Sequence, residues 1–269
     1  MPVYFRSMNN RQILVKSLVL LILQLFCSLF ESVSFAASVS PNDFSSANAP
    51  RQVNTLIASK SSPVVVLDPG HPSEVSSGDA VQNGVREVDI NWDVALRLKT
   101  ILEENKHCQV VLTRDQKSHL TTNRARAECA NHLNAAIMLR LHCDTGSGRG
   151  FTYYFPDHEG AAGGKRGPAP EIIAESRKAA REIFEGSRII LATHLRDNGI
   201  KTDRETAVGG RLCALIGSIW SEVPVVTIEM VFLNNSGDAS FIASPDGQNL
   251  VAEALASGIE RYLATRRKE

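Results

Sequence analysis

The chain has 269 residues, 43% of them hydrophobic and 22% charged; this is a globular composition with apolar material for one sizeable domain, and it excludes an intrinsically disordered polymer. Its 29 basic and 29 acidic side chains cancel, and the only Lys/Arg run lies in the last few residues. A general nucleic-acid binder is excluded on both counts.

The amino-terminal segment reads as an address rather than as fold. Arg6, Arg11 and Lys16 precede an apolar run over 17–30, and Ser34-Phe35-Ala36 places small residues before a cut after residue 36. That layout is a signal peptide, and the run is shorter than the roughly 20 residues that span a bilayer. Residues 1–36 are therefore predicted to leave an exported protein, periplasmic or extracellular, with no membrane span in the mature chain. Cys27 does not suggest a lipoprotein, because the bulky Phe26 precedes it. Residues 37–62, rich in Ser, Ala, Asn and Pro, are predicted to be a linker with an edge strand over 53–58. One domain over 63–269 follows. It holds Cys108, Cys129, Cys143 and Cys213, with no Cys-x-x-Cys spacing; the readings are buried free thiols or a disulfide.

Strand and helix patterns then alternate. Strands are predicted over 64–67, 109–112, 135–141, 150–155 and 225–228, and helices over 87–104, 120–133, 212–219 and 248–266. Such alternation implies an α/β fold with a mainly parallel twisted sheet and helices on both faces. Residues 156–170 are rich in Gly and Pro and read as a loop; helical periodicity runs over 171–184, pauses at Gly186 and resumes to 195. Two readings of 157–186 stand: a mobile cover hinged at the loop and at Gly186, or a surface helix packed on the sheet.

Four side chains sit where such sheets carry chemistry, at the carboxyl ends of strands. His71 follows the first strand after the stop Pro69-Gly70, His142 follows 135–141, Glu229 follows 225–228, and Glu87 opens the first helix. A carboxylate ending an apolar strand is poorly placed unless it is paired. Two imidazoles and one carboxylate leave a tetrahedral position open on zinc, the mark of a catalytic site. Zinc activates water near neutral pH, and a second carboxylate can move the proton to a leaving amine. The spacing does not decide which glutamate binds metal. Cys143 is assigned to the core, since successive strand side chains face opposite ways. His107, His119, His132, His158 and His194 are assigned to the surface, and Arg114 and Arg124 to holding loops through carboxylate pairing.

These residues carry a resemblance. Asp68-Pro69-Gly70-His71, Gly84-Val85-Arg86-Glu87, Leu112-Thr113-Arg114, Arg124 with Ala130-Asn131, Arg140-Leu141-His142, Val223-Pro224 and Glu229 with Phe232-Leu233-Asn234 occur in one order over about 63–265. The set resembles the zinc-dependent N-acetylmuramoyl-L-alanine amidases of the Amidase_3 type. The resemblance implies a catalytic domain over 63–269, a Zn2+ site of His71, Glu87 and His142, and Glu229 as the catalytic carboxylate. It also implies cleavage of the amide between N-acetylmuramic acid and L-alanine in peptidoglycan, a muramyl-peptide substrate, and, as in some relatives, release of an inhibitory helix by an activator protein. A zinc peptidase or deacetylase acting on another wall bond, and a non-catalytic wall-binding module, are the alternatives. The chain departs from the family pattern at Pro72-Ser73-Glu74, Cys143-Asp144 and Met230-Val231, and Glu74 and Asp144 are expected to add negative charge near the site mouth.

Overall fold

The computed structural model describes residues 62–267; the signal-peptide reading, the linker up to residue 61 and the strand over 53–58 lie outside the described residues. The chain enters through β1 (Val64–Pro69) and a two-residue hairpin of β2 (Val81–Gln82) and β3 (Val85–Arg86). Asn83 and Gly84 turn this hairpin with positive φ, the backbone that an Asn-Gly pair favours. The hairpin passes directly into α1 (Glu87–Asn105). Then come β4 (Gln109–Leu112), α2 (Asn123–His132), β5 (Ile137–Asp144) and β6 (Phe151–Phe155). A small hairpin of β7 (Gly160–Ala162) and β8 (Lys165–Gly167) leads to α3 (Pro170–Leu191) and β9 (Asp197–Thr202). A 3-10 turn (Asp203–Glu205), α4 (Gly209–Leu212) and α5 (Ile216–Trp220) precede β10 (Val225–Phe232), and α6 (Ser236–Ala243) and α7 (Pro245–Arg266) close the domain.

Six strands form one sheet in the order β4-β1-β5-β10-β6-β9. Neighbours run parallel except β10 and β6, so the sheet is mainly parallel, as expected. Its strands alternate between two apolar layers. Val65 and Leu67 of β1, Leu139 and Leu141 of β5, and Val226 and Ile228 of β10 enter the large core with α1, α3 and α7. Val66, Met138 and Val225 enter a smaller one with Ala127 and Ala130 of α2. Helices thus cover both faces, and the strands' intervening residues on the α2 side are free to carry polar groups near their carboxyl ends.

Several boundaries differ from the expectation. The loop over 156–170 contains the β7–β8 hairpin, turned by Gly163 and Gly164 at positive φ. Helix α3 does not break at Gly186: that glycine lies against Gly258 of α7, where a side chain would collide with the neighbouring backbone. With Ala179, Ala180, Ile183 and Phe184 buried on the sheet, α3 is the packed helix of the second reading, and the cover reading of 157–186 is overturned. The helix expected over 212–219 is split into α4 and α5 by Cys213, which adopts a left-handed backbone. Among the described residues all four cysteines are free thiols.

Candidate metal centre

The carboxyl end of β1 turns on Pro69 and Gly70, and His71 follows with φ 55, a left-handed backbone uncommon for residues with a Cβ and concentrated at functional sites. Its Nδ1 lies 3.1 Å from the Ser76 carbonyl. With that nitrogen donating, Nε2 is the free ligating atom, and it lies 3.2 Å from Oε2 of Glu87. His142, the sixth residue of β5, sets Nδ1 3.0 Å from the other oxygen, Oε1. The two rings stand edge to face, 5.1 Å apart. Donor atoms of His71, Glu87 and His142 all lie within 4.8 Å of one another.

Glycine makes this approach feasible. A Cβ on Gly70 would strike the His142 ring, and one on Gly78 the His71 side chain. Glu87 is aimed by further donors: the Cys143 amide at 3.1 Å and Asn91 Nδ2 at 3.3 Å both reach Oε1. Asn91 lies one turn along α1 and is buried, with the same amide 3.3 Å from the Gly70 carbonyl. It locks the carboxylate to the loop that carries His71.

Electrostatics follow from this crowding. Burial would raise the Glu87 carboxyl, but hydrogen bonds and charge from His142 and His71 hold it well below the usual carboxylate range. Burial pulls both imidazoles down; for His71 the Glu87 carboxylate and the Ser76 carbonyl outweigh it and its pKa is raised, whereas for His142 burial wins and its pKa is lowered. Two imidazoles and a carboxylate, 14–19% exposed, are the donor set of an open zinc site. The residues present therefore fit the metal that the family resemblance implies.

Glu229 stands beside them. It pairs in register with His142 across the parallel β5–β10 ladder, so the two side chains share the α2 face of adjacent strands. Its Oε2 is sealed from solvent and has no hydrogen-bond partner. Burial first, then repulsion from Glu87 and Asp144, pushes its carboxyl well above the ordinary value. A β-bulge after Glu229 shifts the register at Met230-Val231, as bulges do next to active sites. The Asn83 side chain reaches the Leu233 carbonyl at 2.8 Å and Asn234 reaches Gln82 at 3.0 Å, tying the hairpin before Glu87 to the loop after Glu229. Glu229 and His142 line a cleft of about 350 Å³. A larger hollow of about 480 Å³ opens near the amino ends of β1 and β5, around Val64 and Ala136, and contains none of these groups.

A buried ion cluster beneath the site escaped the sequence reading. Asp68 is fully buried and accepts from Arg126 Nη1 at 2.5 Å, Arg140 Nε at 2.9 Å and the Thr113 hydroxyl at 2.6 Å. Burial alone would push its carboxyl up, yet the two guanidinium groups hold it well below the usual range. Arg126 also donates to the carbonyls of Pro69 and Pro72 at 2.8 Å each, clamping the chain on both sides of His71. The loop-holding arginine of α2 is thus Arg126 rather than Arg124, whose Nε meets Glu128 and whose guanidinium stacks on Trp220. Arg114 holds the Pro69 carbonyl instead of a carboxylate and stacks on Trp92. Cys143 is buried in the core and the other five histidines are exposed, as expected. Glu74 is tied down beside the cleft: its two oxygens accept from the amide and side chain of Asn123 at the start of α2, and Asn123 lines the cleft.

A family model described as N-acetylmuramoyl-L-alanine amidase, Amidase_3, matches residues 65–261. The chain belongs to the N-acetylmuramoyl-L-alanine amidase family. Among relatives, the Bacillus subtilis protein YqiI is 29% identical over 201 residues, 74% of this chain and 84% of its own. The sporulation-specific N-acetylmuramoyl-L-alanine amidase of the same organism is 27% identical over 73% of this chain and 67% of its own. The solved amidase AmiC2 of Nostoc punctiforme shares the amidase fold at TM-score 0.60 and 24% identity, over 76% of this chain and 98% of its own.

Proposed function

We propose that this chain hydrolyses the amide between N-acetylmuramic acid and the L-alanine of the stem peptide in peptidoglycan, with zinc held by His71, Glu87 and His142. The observation that carries the reading is Glu229: a sealed, unpartnered carboxylate oxygen in register with His142. A metal bound by the three ligands supplies a Lewis acid that makes water nucleophilic near neutral pH. The chain's own residues do the rest. Glu87, fixed by Asn91 and the Cys143 amide, stays ionised and keeps the two imidazoles oriented. The elevated proton affinity of Glu229 suits it to take the proton of the attacking water and return it to the L-alanine nitrogen as the C–N bond breaks.

The same reading extends to the address. We propose that residues 1–36 are a signal peptide, that 37–62 link it to a catalytic domain over 63–269, and that the mature enzyme works on the wall outside the cytoplasmic membrane. No helix among the described residues is long and apolar enough to cross a membrane. An activator protein is the one protein partner the reading includes; a similarly folded amidase, CwlD of Clostridioides difficile, has been solved in complex with the GerS lipoprotein.

Digestion of purified peptidoglycan by the zinc-loaded protein tests the reaction. The expected product is an intact glycan with newly free L-alanine amino groups. Release of acetate would identify a deacetylase, new amino groups elsewhere in the stem a peptidase, and binding without any product a wall-binding module.

A further inference from the structure

The cleft beside Glu229 has a second wall, formed by the segment that connects β9 to β10 in the chain, that the proposed proton transfers leave unused. Val208, Leu212, Leu215 and Ile216 make it apolar, and Arg211 stands among them. Two cations therefore line the cleft, and they differ. Arg140 is committed through Nε to Asp68 and through Nη2 to Asn123. Arg211 is exposed and, among the described residues, its side chain has neither an ion pair nor a hydrogen bond.

The backbone that presents Arg211 is firmly held. Asp203 is fully buried, its Oδ2 accepting the Leu215 amide at 3.0 Å and its carbonyl the Thr206 amide at 3.0 Å. The Thr206 hydroxyl in turn accepts the Gly209 amide at 2.9 Å, at the start of α4. A fixed backbone leaves only the side-chain rotamers of the cation to be ordered on meeting a ligand. A second, independent feature points into the same space. Thr227, two residues before Glu229 and on the same face, is 4% exposed, lines the cleft, and its hydroxyl has no partner. Buried polar groups left unpaired are costly and rare, and a ligand is one way to satisfy them.

The chemistry of the occupant follows. A cleft of about 350 Å³ is near the lower end of ligand pockets, roughly 300–1,000 Å³, so it accommodates the residues next to the scissile bond rather than a glycan strand. Glu229 lines the cleft, and Glu87 and Asp144 lie near enough to repel its charge, so the floor is acidic. An anionic substrate group can settle there only against a compensating cation, and a guanidinium matches a carboxylate with two parallel hydrogen bonds. We propose that Arg211 is a specificity residue that pairs with a free carboxylate on the stem-peptide residue following L-alanine, while the Thr227 hydroxyl bonds the peptide backbone beside it. This assignment rests on the hydrolysis proposed above.

Two soluble substrates and intact peptidoglycan test it together. The substrates are N-acetylmuramoyl-L-alanyl-D-glutamate with its γ-carboxyl blocked as an amide and its α-carboxylate free, and the same molecule with the α group amidated as well. A charge-assisted pair at a partly exposed rim is expected to favour the free acid by about tenfold in kcat/KM, chiefly through KM. Arg211→Gln is expected to bring the ratio close to one, Arg211→Glu to reverse it, and Arg211→Lys to retain part of it. Equal rates on the two substrates in the wild type, or an undiminished ratio in Arg211→Gln, would overturn the assignment. So would digestion of peptidoglycan with neither soluble substrate cut, because recognition would then lie farther along the stem. Failure to digest peptidoglycan at all would overturn the hydrolysis, and this assignment with it.

Discussion

Replacing Asp68 by Asn tests whether the ion cluster holds up the metal loop. The carboxylate is 0% exposed and meets two guanidinium groups and a hydroxyl. In Asp68→Asn one oxygen can still accept from Thr113 and Arg126, but the new NH2 group faces the Arg140 Nε–H, donor against donor. Arg140, itself 5% exposed, is left as an uncompensated buried charge. Breaking such a pair costs about 3–5 kcal/mol, a large share of the roughly 5–15 kcal/mol that stabilises a typical domain. At about 2–4 °C per kcal/mol for a domain of this size, the melting temperature should fall by about 6–20 °C. The pH dependence has a definite sign. Because the folded-state pKa of Asp68 is depressed, its contribution is complete above the unfolded value of about 3.9 and disappears as pH falls through the folded one. Thermal and urea unfolding of both proteins should give a constant gap from pH 5 to 8 that narrows below about pH 4. Pairing Asp68→Asn with Arg140→Met should recover part of the loss, since both charges are then gone. A loss under about 1 kcal/mol at neutral pH, or a gap that widens in acid, would refute the assignment of the cluster as a charge-paired support.

Three further outcomes are expected. His142→Ala should abolish stoichiometric zinc by metal analysis of the purified protein, whereas equal metal in mutant and wild type would remove His142 from the ligand set. Glu229→Gln should retain zinc while slowing peptidoglycan hydrolysis by about a hundredfold to ten-thousandfold; lost zinc would instead make Glu229 a ligand. Deleting residues 160–185 should give insoluble or unfolded protein by circular dichroism, because it removes the buried Ala179, Ala180, Ile183 and Phe184; a folded, faster enzyme would restore the cover reading.

The site was legible in the sequence to the extent that its signals were local. Apolar runs interrupted by a histidine or glutamate mark the carboxyl-terminal parts of β1, β5 and β10 without any partner being known, although β5 runs two residues beyond His142 and β10 three beyond Glu229. The Asp68 cluster has no such signature, because Arg126 and Arg140 lie 58 and 72 residues away along the chain. Arg124 and Arg126 share one short helix, and only the packed structure shows that Arg126 turns inward. Strand β9, Asp-Asn-Gly-Ile-Lys-Thr, lacks an apolar pattern because it is an edge with little to bury. The β7–β8 hairpin did carry a signal, the paired Gly163-Gly164, but Gly and Pro on all sides made it read as loop. The pause assigned to Gly186 rested on composition; its cause is the close crossing of α3 and α7, a contact no single helix reveals.

The alternation of β10 has a consequence for how the protein matures. Val226, Ile228 and Met230 fill the large core while Thr227 and Glu229 face the cleft. If the strand slid one residue along β5 during folding, the carboxylate would be driven into the apolar layer and three core side chains would be expelled from it. Misaligned chains are therefore unstable as well as stripped of the Glu229–His142 pairing. The geometry of the candidate site is thus delegated to hydrophobic sorting, and a correctly folded molecule is one whose Glu229 already faces His142.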